Sequence, residues 1–105
     1  MVLPGVATAT EIMAALDLGL RFVKFFPAET SSGAAAIRAL SAPFSDMTFI
    51  PTGGIGPFNV NQYLNLSCVR AVGGSWMVPR DSIRNGDFEK ISALCKEAVD
   101  LVKAS

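Results

Sequence analysis

Apolar residues return along this chain in two alternating rhythms. Short runs rich in β-branched and aromatic residues are separated by longer stretches in which apolar positions recur every three or four residues. The first rhythm predicts strands and the second helices. Met1-Val2-Leu3 reads as a strand tail cut short by Pro4-Gly5. Thr8 and Glu11 have the spacing of a capping box, and Ile12, Ala15, Leu16 and Leu18 form an apolar face stopped by Gly19; this predicts a helix over 9–18. Arg21-Phe22-Val23-Lys24-Phe25-Phe26 predicts a strand that ends at Pro27, which has no backbone N–H. A polar loop, Thr30-Ser31-Ser32-Gly33, leads to an alanine-rich helix over 33–40. Met47-Thr48-Phe49-Ile50 predicts the next strand, ended by Pro51, and a glycine-rich turn leads to a helix over 58–64 with Pro57 or Asn59 near its start. Val69-Arg70-Ala71-Val72 predicts a last strand, followed by Gly73-Gly74-Ser75, a helical turn over 81–85 and a helix over 88–102.

Strand and helix thus alternate throughout. That order predicts βα units around a parallel sheet, the α/β class. The strands are short continuous apolar runs, as expected when both faces of a sheet are covered. No linker, low-complexity tract or close repeat interrupts the rhythm, so residues 1–105 are read as a single domain or part of one.

Composition narrows the function. Half of the 105 residues are hydrophobic, enough for a core. Nine basic and nine acidic residues cancel, with no run of one sign, which argues against nucleic acid or an anionic membrane as the main partner. No apolar stretch approaches the roughly 18 residues of a membrane helix. Met1-Val2-Leu3-Pro4-Gly5 lacks the basic end and apolar middle of a signal peptide. Cys68 and Cys95 stand alone, without metal spacing, which fits a reduced, cytoplasmic setting. There is no histidine, so acid–base chemistry falls to Asp, Glu, Lys, Tyr, Cys or water.

One residue does not belong in its strand. Lys24 sits between Phe22-Val23 and Phe25-Phe26, and lysine is rarely buried without a partner or a purpose. Burial favours a neutral amine, a nucleophile that forms Schiff bases with carbonyls. The plainer reading is an edge-strand lysine whose stem lies on the aromatics while its ammonium reaches water. Two glycine pairs, Gly53-Gly54 and Gly73-Gly74-Ser75, fall at the same kind of place as Lys24, the C-terminal end of a strand. In parallel α/β folds that edge is where ligands bind. Glycine there lets backbone N–H groups approach an anion, and a following helix N-terminus adds a favourable dipole. Each pair alone reads first as an ordinary tight turn; two of them beside a lysine strand reverse that preference and point to a phosphate site.

These residues carry a resemblance. Lys24-Phe25-Phe26-Pro27-Ala28-Glu29, Pro51-Thr52-Gly53-Gly54-Ile55 and Val72-Gly73-Gly74-Ser75-Trp76 resemble the signature blocks of the 2-keto-3-deoxy-6-phosphogluconate (KDPG) and 4-hydroxy-2-oxoglutarate (KHG) aldolases. Pro4-Gly5-Val6-Ala7-Thr8 with Glu11 resembles the block before the lysine strand. The resemblance covers nearly the whole chain, in order and at matching spacing. It implies a class I aldolase on a (β/α)8 barrel, working without metal or organic cofactor. Lys24 matches the Schiff-base lysine, Phe26 an aromatic of the substrate pocket and Thr52 a strand-end residue beside the substrate. Gly53, Gly54 and Ser75 match the phosphate-binding positions, and Gly73 and Gly74 shape the last loop. The implied partners are pyruvate and a phosphorylated keto acid, and the implied assembly is a homo-oligomer, a trimer in the family.

The chain departs from the family in length. A full barrel needs about 250 residues, and this chain carries what reads as the last four βα units. The family's acid–base glutamate lies on an earlier strand, as does an arginine that contacts substrate. A half barrel leaves strand edges unpaired, so the expectation is a piece of a longer chain, or a chain that pairs with another copy or with a complementary N-terminal half. The alternative to an aldolase is a non-catalytic remnant that binds phosphate weakly or assembles with a partner. A nucleotide-binding domain is disfavoured, since neither G-x-G-x-x-G opening a helix nor a Walker lysine pattern occurs. Glu29 is expected to be a solvated or helix-capping carboxylate, and Tyr63 a helix residue with its hydroxyl at the surface. Cys68 and Cys95 are expected to be inert packing residues and Trp76 a core or interface anchor. The apolar stripe of the last helix is expected to face the core or another subunit.

Overall fold

A computed structural model describes residues 1–104. Its strands are β1 (Gly5–Val6), β2 (Phe22–Phe25) and β3 (Thr48–Pro51), and its helices α1 (Ala9–Asp17), α2 (Gly33–Ser41), α3 (Val60–Leu64), α4 (Arg80–Arg84) and α5 (Phe88–Lys103). A 3₁₀ turn over Glu29–Ser31 precedes α2. The sheet is parallel in the order β1-β2-β3, with Lys24 paired to Gly5 on one side and to Ile50 on the other. This is the α/β architecture expected for the closing units of a (β/α)8 barrel. The Cα radius of gyration is 15.0 Å, against ~13 Å for a compact chain of this length, so the units form an open sector. Among the described residues no helix is long and apolar enough to cross a membrane.

Side chains alternate across β2. Val23 and Phe25 are fully buried against the helices, while Lys24 and the flanking Phe22 and Phe26 lie on the other face. Phe25 meets Phe49 of β3 edge-to-face, ring centroids 6.4 Å apart, a favourable arrangement of aromatic quadrupoles. Ile12 and Ala15 of α1, Ile37 of α2 and Val60 and Tyr63 of α3 close this layer. Cys68 and Trp76 pack partly buried against the same core, and both cysteines are free thiols.

Several boundaries differ from those the sequence predicts. β1 begins after Pro4 rather than ending before it. The Pro4 carbonyl accepts from Lys24 N–H at 2.9 Å, but its nitrogen offers no proton on that side, so pairing starts at Gly5. Met1, Val2 and Leu3 are exposed. The expected fourth strand, Val69 to Val72, is reduced to isolated bridges from Phe49 to Val69 and from Thr52 to Gly73. Three steps along β3 match four along its neighbour, so one residue is extra. Pro51, whose carbonyl accepts from Gly73 N–H at 2.9 Å, has no N–H for that neighbour, and a continuous ladder cannot form. α3 starts at Val60, two residues later than Phe58, because Asn59 turns back to the preceding loop. No residue of α5 is fully buried; its apolar stripe is half-covered, with Leu101 packed on the core.

The capping box forms as the sequence predicts. Thr8 Oγ1 accepts from Glu11 N–H at 3.3 Å, and Glu11 Oε1 receives Ala7 N–H at 2.9 Å and the Thr8 hydroxyl at 3.0 Å. The Ala7 N–H, then the Thr8 hydroxyl, hold the Glu11 carboxyl below its ordinary pKa. Replacing Thr8 by Ala removes a cap that typically contributes about 1 kcal/mol. Urea denaturation should show that loss; an unchanged midpoint would rule out the cap as a source of stability.

Candidate active site

Lys24, Phe26, Thr52, Gly53, Gly54, Gly73, Gly74 and Ser75 line one cleft of about 460 Å³, together with Ile55. The cleft opens at the C-terminal end of the strands. All eight residues singled out from the sequence are therefore brought together, and Ile55 joins them without having been expected. Lys24 lies on the central strand, so the edge-strand reading does not hold. It is half-buried, and its Nζ lies 5.1 Å from the centroid of the half-exposed Phe26 ring, within range of a cation–π contact. A larger hollow of about 690 Å³, bordered by Glu29, Ser32, Arg38 and Gln62, contains neither the strand-end lysine nor the glycine loops.

The lysine strand and the first glycine loop are held together beyond the end of the sheet. Ala28 N–H donates to the Thr52 carbonyl at 2.9 Å, and Glu29 N–H to the Gly53 carbonyl at 3.1 Å. Gly53 and Gly54 have φ of 111° and 75°, which glycine adopts without strain. A Cβ on Gly54 would lie 2.7 Å from Cβ and Cγ of Glu29. The second loop is tight for a different reason. A Cβ on Gly73 would lie 2.6 Å from Thr52 Oγ1, and one on Gly74 would enter the Trp76 ring.

Backbone donors remain free where the loops meet the cleft. Among the described residues the N–H groups of Gly53, Gly54, Gly74 and Ser75 have no acceptor, whereas Gly73 N–H is taken by Pro51. Such donors, with the Thr52 and Ser75 hydroxyls and the Lys24 amine, can bind an anion. Among the described residues no carboxylate lines the cleft. The helix dipoles expected behind the loops are not close at hand: α3 and α4 start only at Val60 and Arg80 and have five residues each.

Three residues behind the loops were missed or misjudged from sequence. Asn59, almost fully buried, receives Gly56 N–H on Oδ1 at 2.8 Å and donates from Nδ2 to the Gly54 carbonyl at 3.1 Å. An asparagine just after a glycine-rich turn is a signal for such local bonding. Tyr63 is fully buried, not at the surface, and its hydroxyl donates to Glu29 Oε2. Glu29 is thus bonded to a tyrosine rather than merely solvated or capping.

A family model described as KDPG and KHG aldolase matches residues 1–94. The chain belongs to the KDPG and KHG aldolase family. It is 46% identical over 101 residues to the KHG/KDPG aldolase of Escherichia coli K12, covering 96% of this chain and 47% of that protein. It is 48% identical to the 2-dehydro-3-deoxy-phosphogluconate aldolase of Dickeya dadantii, covering 92% and 46%. The KDPG aldolase of Legionella pneumophila, solved with pyruvate captured at low pH as a covalent carbinolamine intermediate, superposes with a TM-score of 0.86 at 43% identity, over 89% of this chain and 45% of that one. The KDPG aldolase of Zymomonas mobilis with 3-phosphoglycerate gives 0.83 at 47% identity, over 91% and 44%. The chain spans about half the length of the curated relatives it matches.

Burial, then the Glu29 hydrogen bond and charge, push the Tyr63 hydroxyl well above its ordinary pKa of 10.0. The fold therefore keeps a proton that the unfolded chain loses. This contribution to stability is whole below pH ~10 and is lost as pH climbs further. Tyr63 is the sole tyrosine, so phenolate absorbance reads it alone. Absorbance should rise only as the chain unfolds in alkali; phenolate forming near its ordinary pKa in the folded chain would contradict the buried bond.

Proposed function

We propose that this chain is the Schiff-base and phosphate-loop portion of a class I aldolase that cleaves 2-keto-3-deoxy-6-phosphogluconate to pyruvate and glyceraldehyde 3-phosphate. The observation that carries this reading is the single cleft shared by Lys24 and both glycine loops. Residues 1–105 act as one partial barrel domain in a cytoplasmic enzyme, completed by further βα units from its own or another chain, within a homo-oligomer that the family resemblance makes a trimer. The carbinolamine in the Legionella relative and the 3-phosphoglycerate in the Zymomonas relative support the two ends of the proposed ligand.

The steps follow from the groups present. The Lys24 amine adds to the ketone carbon, and the carbinolamine takes up a proton and loses water to give a protonated imine. Phe26 walls this end of the cleft and Thr52 offers a hydroxyl beside it. The bond between the methylene next to the imine and the hydroxyl-bearing carbon beyond it then breaks. Its electron pair moves toward the imine nitrogen and leaves an enamine. The hydroxyl proton goes to a base, and that carbon becomes the aldehyde of glyceraldehyde 3-phosphate. The enamine takes a proton on carbon, and water hydrolyses the pyruvate imine and returns Lys24. The N–H groups of Gly53, Gly54 and Ser75 hold the phosphate, while Gly73 and Gly74 set the shape of the second loop. No step requires a metal or organic cofactor.

Among the described residues the cleft lining has no carboxylate to move the proton. The family resemblance places that glutamate on an earlier strand. Without it proton transfer loses a contribution of typically 10²–10⁴-fold, so the 105-residue chain should form the imine readily and turn over slowly. The same observation favours the second reading, a non-catalytic remnant that only binds phosphate or assembles with a partner. Borohydride reduction in the presence of pyruvate separates them. The expected result is one reduced pyruvate on Lys24 in the wild-type chain and none in Lys24→Met. No adduct at saturating pyruvate would leave the remnant reading standing.

A further inference from the structure

The first glycine loop is supported by groups that line no part of the cleft. Gly54 lies so close to the Glu29 stem that a Cβ on it would meet Glu29 Cβ and Cγ at 2.7 Å, Gly53 lies against Pro27 and Ala28, and Glu29 N–H holds the Gly53 carbonyl at 3.1 Å. The Glu29 side chain is exposed and would sample several rotamers by itself. It is fixed at its far end by the hydroxyl of Tyr63, a fully buried residue on the helix that the same loop leads into. Gly33 closes the corner: a Cβ there would lie 2.8 Å from Glu29 Oε2 and 3.1 Å from the Tyr63 hydroxyl. The loop is thus bounded at one end by Glu29 and at the other by Asn59, which bonds the Gly54 carbonyl and Gly56 N–H.

We propose that Glu29 and Tyr63 are positioning residues for the phosphate end of the ligand: their hydrogen bond fixes the floor beneath Gly53-Gly54 and so sets anion affinity without either side chain touching the anion. This rests on the reading that the glycine loops bind phosphate. Lys24 reaches the cleft from β2, upstream of this bond, so capture of pyruvate should be insensitive to it. A purely structural role for the pair would instead weaken both ends of the cleft together.

The test uses the full 105-residue chain, inorganic phosphate as probe in a phosphorus NMR titration, and pyruvate trapping at Lys24 as the second readout. A hydrogen bond to a charged group is strong enough that Tyr63→Phe should weaken phosphate binding about tenfold while trapping changes by less than about twofold. Glu29→Gln, which keeps an acceptor oxygen for the Tyr63 hydroxyl, should retain phosphate affinity within about threefold. Glu29→Ala, a change at an exposed position, should reproduce the Tyr63→Phe loss and stands in should that variant fail to fold. Unchanged phosphate affinity in Tyr63→Phe or Glu29→Ala, or parallel loss of both readouts, would overturn the proposal. A wild-type chain that binds no phosphate would overturn it together with the phosphate-loop reading. If wild type binds phosphate but traps no pyruvate, the aldolase reading fails, and the selective loss of phosphate in the variants still supports the positioning role.

Discussion

Two backbone hydrogen bonds beyond the end of the sheet carry the architecture of the cleft. Ala28 N–H to Thr52 and Glu29 N–H to Gly53 continue the β2–β3 pairing past Phe25 and Pro51, where both strands have formally ended. A parallel ladder alone would let the two loops splay apart, since nothing in a strand dictates where its exit goes. These bonds bring the segment that follows the lysine flat against the glycine loop. The positive φ at Gly53 and Gly54 is a consequence of that closeness. The glycines are needed to let two backbones touch as much as to admit an anion, and the free N–H groups of Gly53 and Gly54 follow from the same geometry.

Behind this seam, polar bonds are built into an otherwise apolar layer. The Tyr63 hydroxyl and the Asn59 amide are buried in or against the packing of Val60, Ile37 and Phe49, and each is bonded. A buried polar group left without a partner costs about 1–3 kcal/mol, so such groups restrict the ways in which the layer can pack. Leucine would satisfy the core at either position but would leave the loop unsupported. The Lys24 amine lies on the opposite face of β2, which keeps this network and the proposed chemistry on separate sides of one strand.

Much of this was legible in the chain. The capping box at Thr8 and Glu11, the glycine stop of α1, the parallel alternation and the convergence of Lys24 with both glycine pairs followed from local propensity and from the rule that strand ends gather on one edge. What was not legible depended on partners distant in sequence. Tyr63 reads as an amphipathic surface residue until Glu29, 34 residues earlier, comes within reach. The fourth strand looked as sound as the others, and only its register against Pro51 shows why its ladder breaks. At β1 the same property of proline was read correctly but assigned to the wrong side, because a missing donor can open a strand as well as close one.

The open sector also fits the relation of this chain to its family. Lys24 and the glycine loops lie on consecutive units, so a chain about half the length of its relatives can hold both ends of the proposed ligand, although among the described residues its cleft lacks a carboxylate. The central claim is therefore spatial: one cleft takes keto acid and phosphate together. The most direct measurement is a crystal structure of the chain after borohydride reduction with pyruvate, soaked in inorganic phosphate. The account predicts a carbon bonded to Lys24 Nζ and a phosphate on the N–H groups of Gly53, Gly54 and Ser75 in the same cleft. An adduct on another lysine, or phosphate seated elsewhere while these donors face only solvent, would contradict it.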